Sequence, residues 1–138
     1  MALTLVLGNK NYSSWSMRPW ILMHHFGLKF EEFVIPLYQK DSAEMLRRYS
    51  PSQKVPVLID DELLVWESMA ICEYVNDNYL QDKALPDGRE ARALCRAYCH
   101  EMHAGFTAIR SEMPMNCRAR RTLTVTDAVQ PEIERIET

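Results

Sequence analysis

The sequence lacks long apolar runs, blocks of basic residues, a Cys-x-x-Cys pair, internal repeats and low-complexity tracts. Each absence excludes a class of function. The longest apolar stretches, such as Val55–Ile59, are about five residues, whereas a membrane-spanning helix needs roughly 20. Sixteen Lys and Arg against nineteen Asp and Glu leave a net charge of −3 over 138 residues. That balance carries no electrostatic footprint for nucleic acid. The amino terminus, MALTLVLGNKNYSSWS, has no basic segment before its short apolar run, so no secretory signal is expected. A cytoplasmic location follows as an expectation, with Cys72, Cys95, Cys99 and Cys117 as reduced thiols. The missing Cys-x-x-Cys removes dithiol redox chemistry. With 47% hydrophobic and 25% charged residues the composition is that of an ordinary folded domain, which argues against disorder.

The first half alternates two periodicities. Leu3–Leu7 reads as a buried strand followed by a polar loop, Gly8-Asn9-Lys10-Asn11. Pro19 is tolerated in a first turn, so the next helix is predicted to begin near Ser16 or Arg18 and to stop at Gly27. Phe30–Ile35 is a second strand by its aromatic and β-branched content. Asp41-Ser42-Ala43-Glu44 has capping-box spacing and opens a short helix to about Tyr49. Val55–Ile59 and Leu63–Trp66 flank a polar turn and read as a hairpin. Glu67-Ser68 then opens a helix with Ile71, Val75 and Tyr79 on one face. The order is βαβ, α, ββα: an α/β thioredoxin-like domain with a four-stranded mixed sheet and helices on both faces, its first crossover right-handed. It occupies residues 1–80. Residues 81–88, with Pro86 and Gly88, form a linker. Residues 89–138 are predicted to be the start of an all-α domain, with one long amphipathic helix over Arg89–Met113 and a second beginning after Asp127. One helix and a fraction are too few to enclose a core, so a truncated helical domain is the expectation.

Three local features together resemble the cytosolic glutathione S-transferases. They are the loop Asn11-Tyr12-Ser13-Ser14-Trp15-Ser16-Met17-Arg18, the pair Val55-Pro56 opening the third strand, and Glu67-Ser68 opening the third helix. The Ser-Ser-x-Ser-x-Arg pattern looks most like the serine-dependent, zeta-like bacterial branch. In that match Ser13 takes the place of the catalytic serine and Ser14 the next position. Trp15 stands where the zeta class has cysteine, a departure that weighs against zeta-type isomerisation of maleylacetoacetate. The resemblance implies a homodimer that uses glutathione as co-substrate, has no metal, and acts on a small hydrophobic electrophile in detoxification. The electrophile itself is left open. So is the choice between Ser13 and Ser14 as donor to the thiol.

The chemistry asks for these residue types. A free thiol has a pKa of about 8.5, and lowering it by two units takes about 2.7 kcal/mol of preference for the anion. A serine hydroxyl donating to sulfur, aided by the positive end of the first helix, is of that size. The resemblance gives Val55-Pro56 a cis bond that turns the Val55 backbone toward the cysteinyl residue of glutathione, in the manner of a paired strand. Ser68, among free N–H groups at a helix start, would hold the γ-glutamyl carboxylate, with Glu67 near its amine. Lys40 and Lys54 are candidate cations for the glycyl carboxylate. Structural readings stand beside these roles: serines as plain helix caps, a trans proline at a strand start, lysines in solvent. Cys95, Cys99 and His103 share a helical face, but the outer pair is about 12 Å apart along the axis, too far for one tetrahedral ion. Two other functions compete with the transferase: a glutathione transferase-like binding or scaffold protein without catalysis, and a glutathione-dependent isomerase or peroxidase on the same scaffold.

Overall fold

The computed structural model describes residues 3–138; Met1 and Ala2, the first two residues of the expected 1–80 unit, lie outside the described residues. Strands β1 (Leu3–Leu7), β2 (Phe30–Val34), β3 (Val57–Asp60) and β4 (Leu63–Trp66) form one sheet in the order β2-β1-β3-β4. β1 and β2 are parallel, with Leu5 opposite Glu32, and the helix α1 (Ser14–His25) makes the crossover that parallel pairing requires. β3 runs antiparallel to β1, with Leu5 opposite Leu58, and β4 antiparallel to β3. This is the thioredoxin-like arrangement expected from the order of elements.

Side chains alternate across a strand, so β1 feeds two cores. Leu3, Leu5 and Leu7 join Leu58, Met23, Ile71 and Val75 beneath α1 and α3 (Ser68–Tyr79). Val6 joins Val57 and Ile35 on the opposite face, against Met45 and Leu46 of α2 (Ser42–Tyr49). Leu5, Val6, Val57 and Leu58 are fully buried, each contributing about 1.5–3 kcal/mol of apolar transfer. Both faces of the sheet are covered, which fixes the strand ends where the candidate site forms.

Three local features differ from the sequence reading. α1 begins at Ser14, ahead of the predicted start, and carries Pro19 inside it. The missing Pro19 N–H removes the helical partner of the Trp15 carbonyl. The turn persists because Ser13 caps it and Ser16, Pro19 and Met23 are buried along one side. At the other end Gly27 has φ +67 and the Gly27 and Leu28 N–H groups close on His24 and Met23, the left-handed cap anticipated there. The capping box at Asp41 does not form. Asp41 makes no side-chain cap; Ser42 instead donates to the Pro36 carbonyl and accepts from the Gln39 N–H.

The third difference is larger. The single helix over Arg89–Met113 is two, α4 (Arg89–Ala104) and α5 (Thr107–Glu112), and α6 (Gln130–Glu137) follows. The break is at Gly105, which is extended, and Phe106, whose φ of +60 is left-handed. Apolar spacing ran through the break and hid it. Glu132 of α6 accepts from the free Ala108 and Ile109 N–H groups of α5, so a carboxylate of α6 caps α5. Three helices therefore follow the 81–88 stretch among the described residues, where the sequence suggested one and a fraction.

Candidate active site

The loop after β1 is set by close packing. A Cβ at Gly8 would lie 2.6 Å from Leu37 Cδ1 and 3.1 Å from Ser13 Cβ, so any larger residue there would displace Leu37 and press on Ser13. The Gly8 N–H donates to Ser16 Oγ, and Ser13 Oγ donates to Ser16 Oγ at 2.8 Å while accepting from the Ser16 N–H at 3.4 Å. Ser13 is thus the buried amino-terminal cap of α1, and Ser14 is its first residue. Both serines line a cavity of about 1200 Å³ that also reaches Lys54 and Val55.

A smaller cavity of about 330 Å³ adjoins it, lined by Trp15, Ser52, Lys54, Val55, Pro56, Glu67 and Ser68. Trp15, Lys54 and Val55 belong to both walls. The Val55-Pro56 peptide is cis, and the pair lies just before β3, outside its ladder. Buried Ser50 fixes the adjoining backbone by donating to the Lys54 carbonyl and accepting from its N–H. Glu67 has φ +69, a left-handed value that a residue with a side chain adopts only under constraint from its surroundings. That turn delivers Ser68, 1% exposed, to the first position of α3.

The structure therefore brings Ser13, Ser14, Lys54, Val55, Pro56, Glu67 and Ser68 to two adjoining cavities. It does not bring Lys40 there. Lys40 is exposed at the end of the turn before α2 and lines neither cavity.

Three further side chains enter this site: Arg18, which closes the Ser-Ser-x-Ser-x-Arg pattern, and His103 and Arg110, which lie in none of the motifs. Arg18 Nη1 donates to Ser68 Oγ at 3.5 Å, and His103 Nδ1 lies 3.5 Å from the same hydroxyl. His103 Nε2 is 3.5 Å from Glu67 Oε2. Arg18 and Arg110 both stack on Trp15, at 4.2 and 4.5 Å from the ring, and His103 meets the same ring edge-on. Burial, and then Arg110, holds the Arg18 pKa below its usual value, yet guanidinium stays charged at any working pH. His103 and Arg110 come from α4 and α5, so residues well beyond α3 in the chain reach its start. No local pattern marks a contact between residues 35 apart in the chain; His103 stood out only as a member of a metal-like row.

The cysteines stand apart from this chemistry. Burial, then neighbouring Cys99, pushes the Cys72 thiol up to about 12, and burial raises Cys99 as well. Both are protonated at neutral pH, so neither offers a thiolate nucleophile.

Residues 12–78 match the glutathione S-transferase N-terminal domain. Over that segment the chain carries a glutathione S-transferase N-terminal domain. A dichloromethane dehalogenase from Methylorubrum extorquens is 37% identical over 59 residues, 41% of this chain and 20% of that relative. A probable maleylacetoacetate isomerase from Vibrio cholerae is 34% identical over 62 residues, covering 45% and 29%. A glutathione transferase homologue from Burkholderia, solved with bound glutathione, superposes with a TM-score of 0.68 at 28% identity, covering 80% of this chain and 59% of that one. A Bombyx mori glutathione S-transferase, at TM-score 0.75 and 21% identity, covers 98% and 63% and shares the fold. The matched segments span less than a third of these two curated relatives. Within the family match, all of the candidate residues from Ser13 to Ser68 fall inside the N-terminal domain, and His103 and Arg110 fall outside it.

Proposed function

We propose that the chain is a glutathione transferase that ionises the glutathione thiol with a serine hydroxyl and directs the thiolate at an electrophilic carbon of a hydrophobic compound. The observation that carries this reading is convergence: three motifs separated by some 40 and 12 residues meet on two cavities that share Trp15, Lys54 and Val55. In this reading residues 1–80 are the glutathione-binding domain, 81–88 the linker and 89–138 the helical unit. Ser68, with Arg18 beside it, takes the γ-glutamyl carboxylate, and Glu67 takes the amine. The Val55 backbone pairs with the cysteinyl residue and Lys54 meets the glycyl carboxylate.

Ser13 is the better placed donor. Its hydroxyl already donates to Ser16 Oγ, a neutral acceptor, at the start of α1. A thiolate arriving there offers a charged acceptor, and hydrogen bonds to charged groups are roughly twice as strong. The proton of Ser13 then points at sulfur, while Ser16 keeps the Gly8 N–H. Electrons move simply: the sulfur lone pair forms the carbon–sulfur bond and the leaving group departs with the pair of the bond that breaks.

Calorimetric titration with glutathione tests the reading. Binding is expected in the wild type and weakened in Ser68→Ala by the value of a charged hydrogen bond, about 1.5–3 kcal/mol or 10- to 150-fold. No heat of binding in the wild type would overturn the transferase and the isomerase together. Glutathione binding without conjugation of any electrophile would favour the non-catalytic binding protein.

A further inference from the structure

The larger cavity carries information about the second substrate. At about 1200 Å³ it exceeds the roughly 300–1000 Å³ of a site for one drug-sized ligand, so it has room beside the glutathione thiol. Part of its wall is apolar and adaptable: Met113, Met115 and Leu123, with Tyr12 from the serine loop. One guanidinium interrupts that wall, Arg121. Among the described residues lining the cavity the other cation is Lys54, already placed on the glycyl carboxylate, and the one carboxylate is Glu112. Glu112 Oε2 accepts from Thr126 Oγ1 at 2.7 Å, which anchors that carboxylate to the far end of the segment. Among the described residues no carboxylate forms an ion pair with Arg121.

The segment that carries Arg121 is tied at both ends. Asn116 Oδ1 accepts from Asn11 Nδ2 and from the Arg118 and Ala119 N–H groups, and the Cys117 N–H donates to the Asn11 carbonyl. These bonds join the segment to the serine loop itself. Thr126 closes the other end on α5. The backbone on either side of Arg121 is thus tied to the serine loop at one end and to α5 at the other.

We propose that the acceptor is an apolar electrophile bearing an anionic group, and that Arg121 receives the anion while Met113, Met115 and Leu123 hold the apolar body. The proposal rests on the transferase reading for its chemistry, although the anion subsite stands on the cavity alone. Two like charges, thiolate and acceptor anion, repel across the site; a guanidinium at the distal end offsets that repulsion and orients the reacting carbon inward. The anionic group is a spectator. The thiolate forms the carbon–sulfur bond, the carbon–halogen bond breaks, and halide leaves with the electron pair.

The test compares a chlorodinitrobenzoate with its carboxamide, which has the same ring and leaving group without the charge, at saturating glutathione. A hydrogen-bonded charge pair predicts a KM about tenfold lower for the benzoate in the wild type. Arg121→Gln should erase the preference, Arg121→Lys should keep part of it, and Arg118→Gln, on the same segment but off the cavity wall, should leave it intact. Raising salt should shrink the wild-type preference, because Arg121 is exposed. The halogen-free dinitrobenzoate and dinitrobenzamide, followed by quenching of tryptophan fluorescence, give the same comparison without any reaction. Equal affinities in the wild type, a preference that survives Arg121→Gln, or failure of both aromatics to bind would overturn the proposal. A benzoate preference in a protein that does not bind glutathione would overturn the transferase reading and keep the anion subsite.

Discussion

Ser13 holds two positions in the energetics, and they separate by pH. As the cap of α1 it accepts from the Ser16 N–H, and its removal should cost about 1 kcal/mol of stability at any pH. As the thiol donor it lowers the pKa of bound glutathione, and losing a charged hydrogen bond of about 1.5–3 kcal/mol should raise that pKa by about one to two units. From a bound thiol pKa of about 6.5, Ser13→Ala should therefore slow conjugation about 3- to 25-fold at pH 7. The gap should close as pH rises past the new pKa, where the thiol ionises unaided. Ser14→Ala should matter less, because Ser14 is a helical residue past the cap. Rates measured across pH, with the thiolate absorbance of the bound complex, check this; a Ser13→Ala defect that stayed constant with pH would leave the residue only its capping role. The same residues show what the sequence disclosed and what it did not. Ser13, Val55-Pro56 and Glu67-Ser68 were legible because each motif is local, a few residues in a fixed slot. His103 and Arg110 were not, since their place depends on how α4 and α5 fold back on Trp15, and Arg18 stood in its motif without its contact to Ser68.

At the scale of elements, the strands and α3 were legible from alternation and four-residue spacing, and their boundaries fall within two residues of expectation. α4 and α5 merged because Met102, Phe106 and Ile109 keep helical spacing across a turn that leaves the helix; one residue in the left-handed region outweighs a continuous apolar pattern. Another tie between elements is testable by titration. Asp60, at the end of β3, accepts from the hydroxyls of Tyr74 and Tyr79 on α3. Those bonds hold the Asp60 carboxyl below its usual range and, acting through Asp60, push Tyr79 up to about 12. The signs follow from linkage. Asp60 is depressed in the folded state, so its contribution is present above the unfolded carboxyl pKa and is lost as pH falls through the folded value. Tyr79 is raised, so its contribution is complete below the unfolded phenol pKa of about 10 and is lost as pH climbs toward 12. Both groups are largely in solvent, and the gain in stability is correspondingly small. Spectrophotometric titration of the phenols should show a late-ionising fraction that returns to the ordinary range in Asp60→Asn. An unchanged titration curve in that variant would separate β3 from α3 electrostatically.

At the scale of the molecule, the unsettled surface is α4. It buries none of its residues completely, and Leu94, Tyr98 and Met102 stand 56%, 62% and 38% exposed along one side. Helices at the surface ordinarily turn such a stripe inward, and contiguous apolar patches on soluble monomers are seldom left open. Here the inward face of α4 is already engaged: Arg96 reaches Glu73 on α3, Arg92 reaches Asp82, and His103 reaches Glu67. Those polar contacts fix the rotation of the helix and so determine which side chains remain outside. Leu94 and Tyr98, four residues apart, are the exposed pair that an isologous contact between two copies would cover. The homodimer implied by the family resemblance is therefore expected to form through α4, and Tyr98→Glu, which places like charges against each other across a two-fold axis, should weaken it. Light scattering at low micromolar concentration should return twice the 16.1 kDa chain mass for the wild type and a lower average for the variant. A wild-type monomer that binds a hydrophobic dye would show the stripe open to water and remove α4 as the contact. A dimer unaffected by Tyr98→Glu would move the contact to another face, with β4 next in line because Leu63 and Trp66 are 48% and 44% exposed on the edge strand of the sheet.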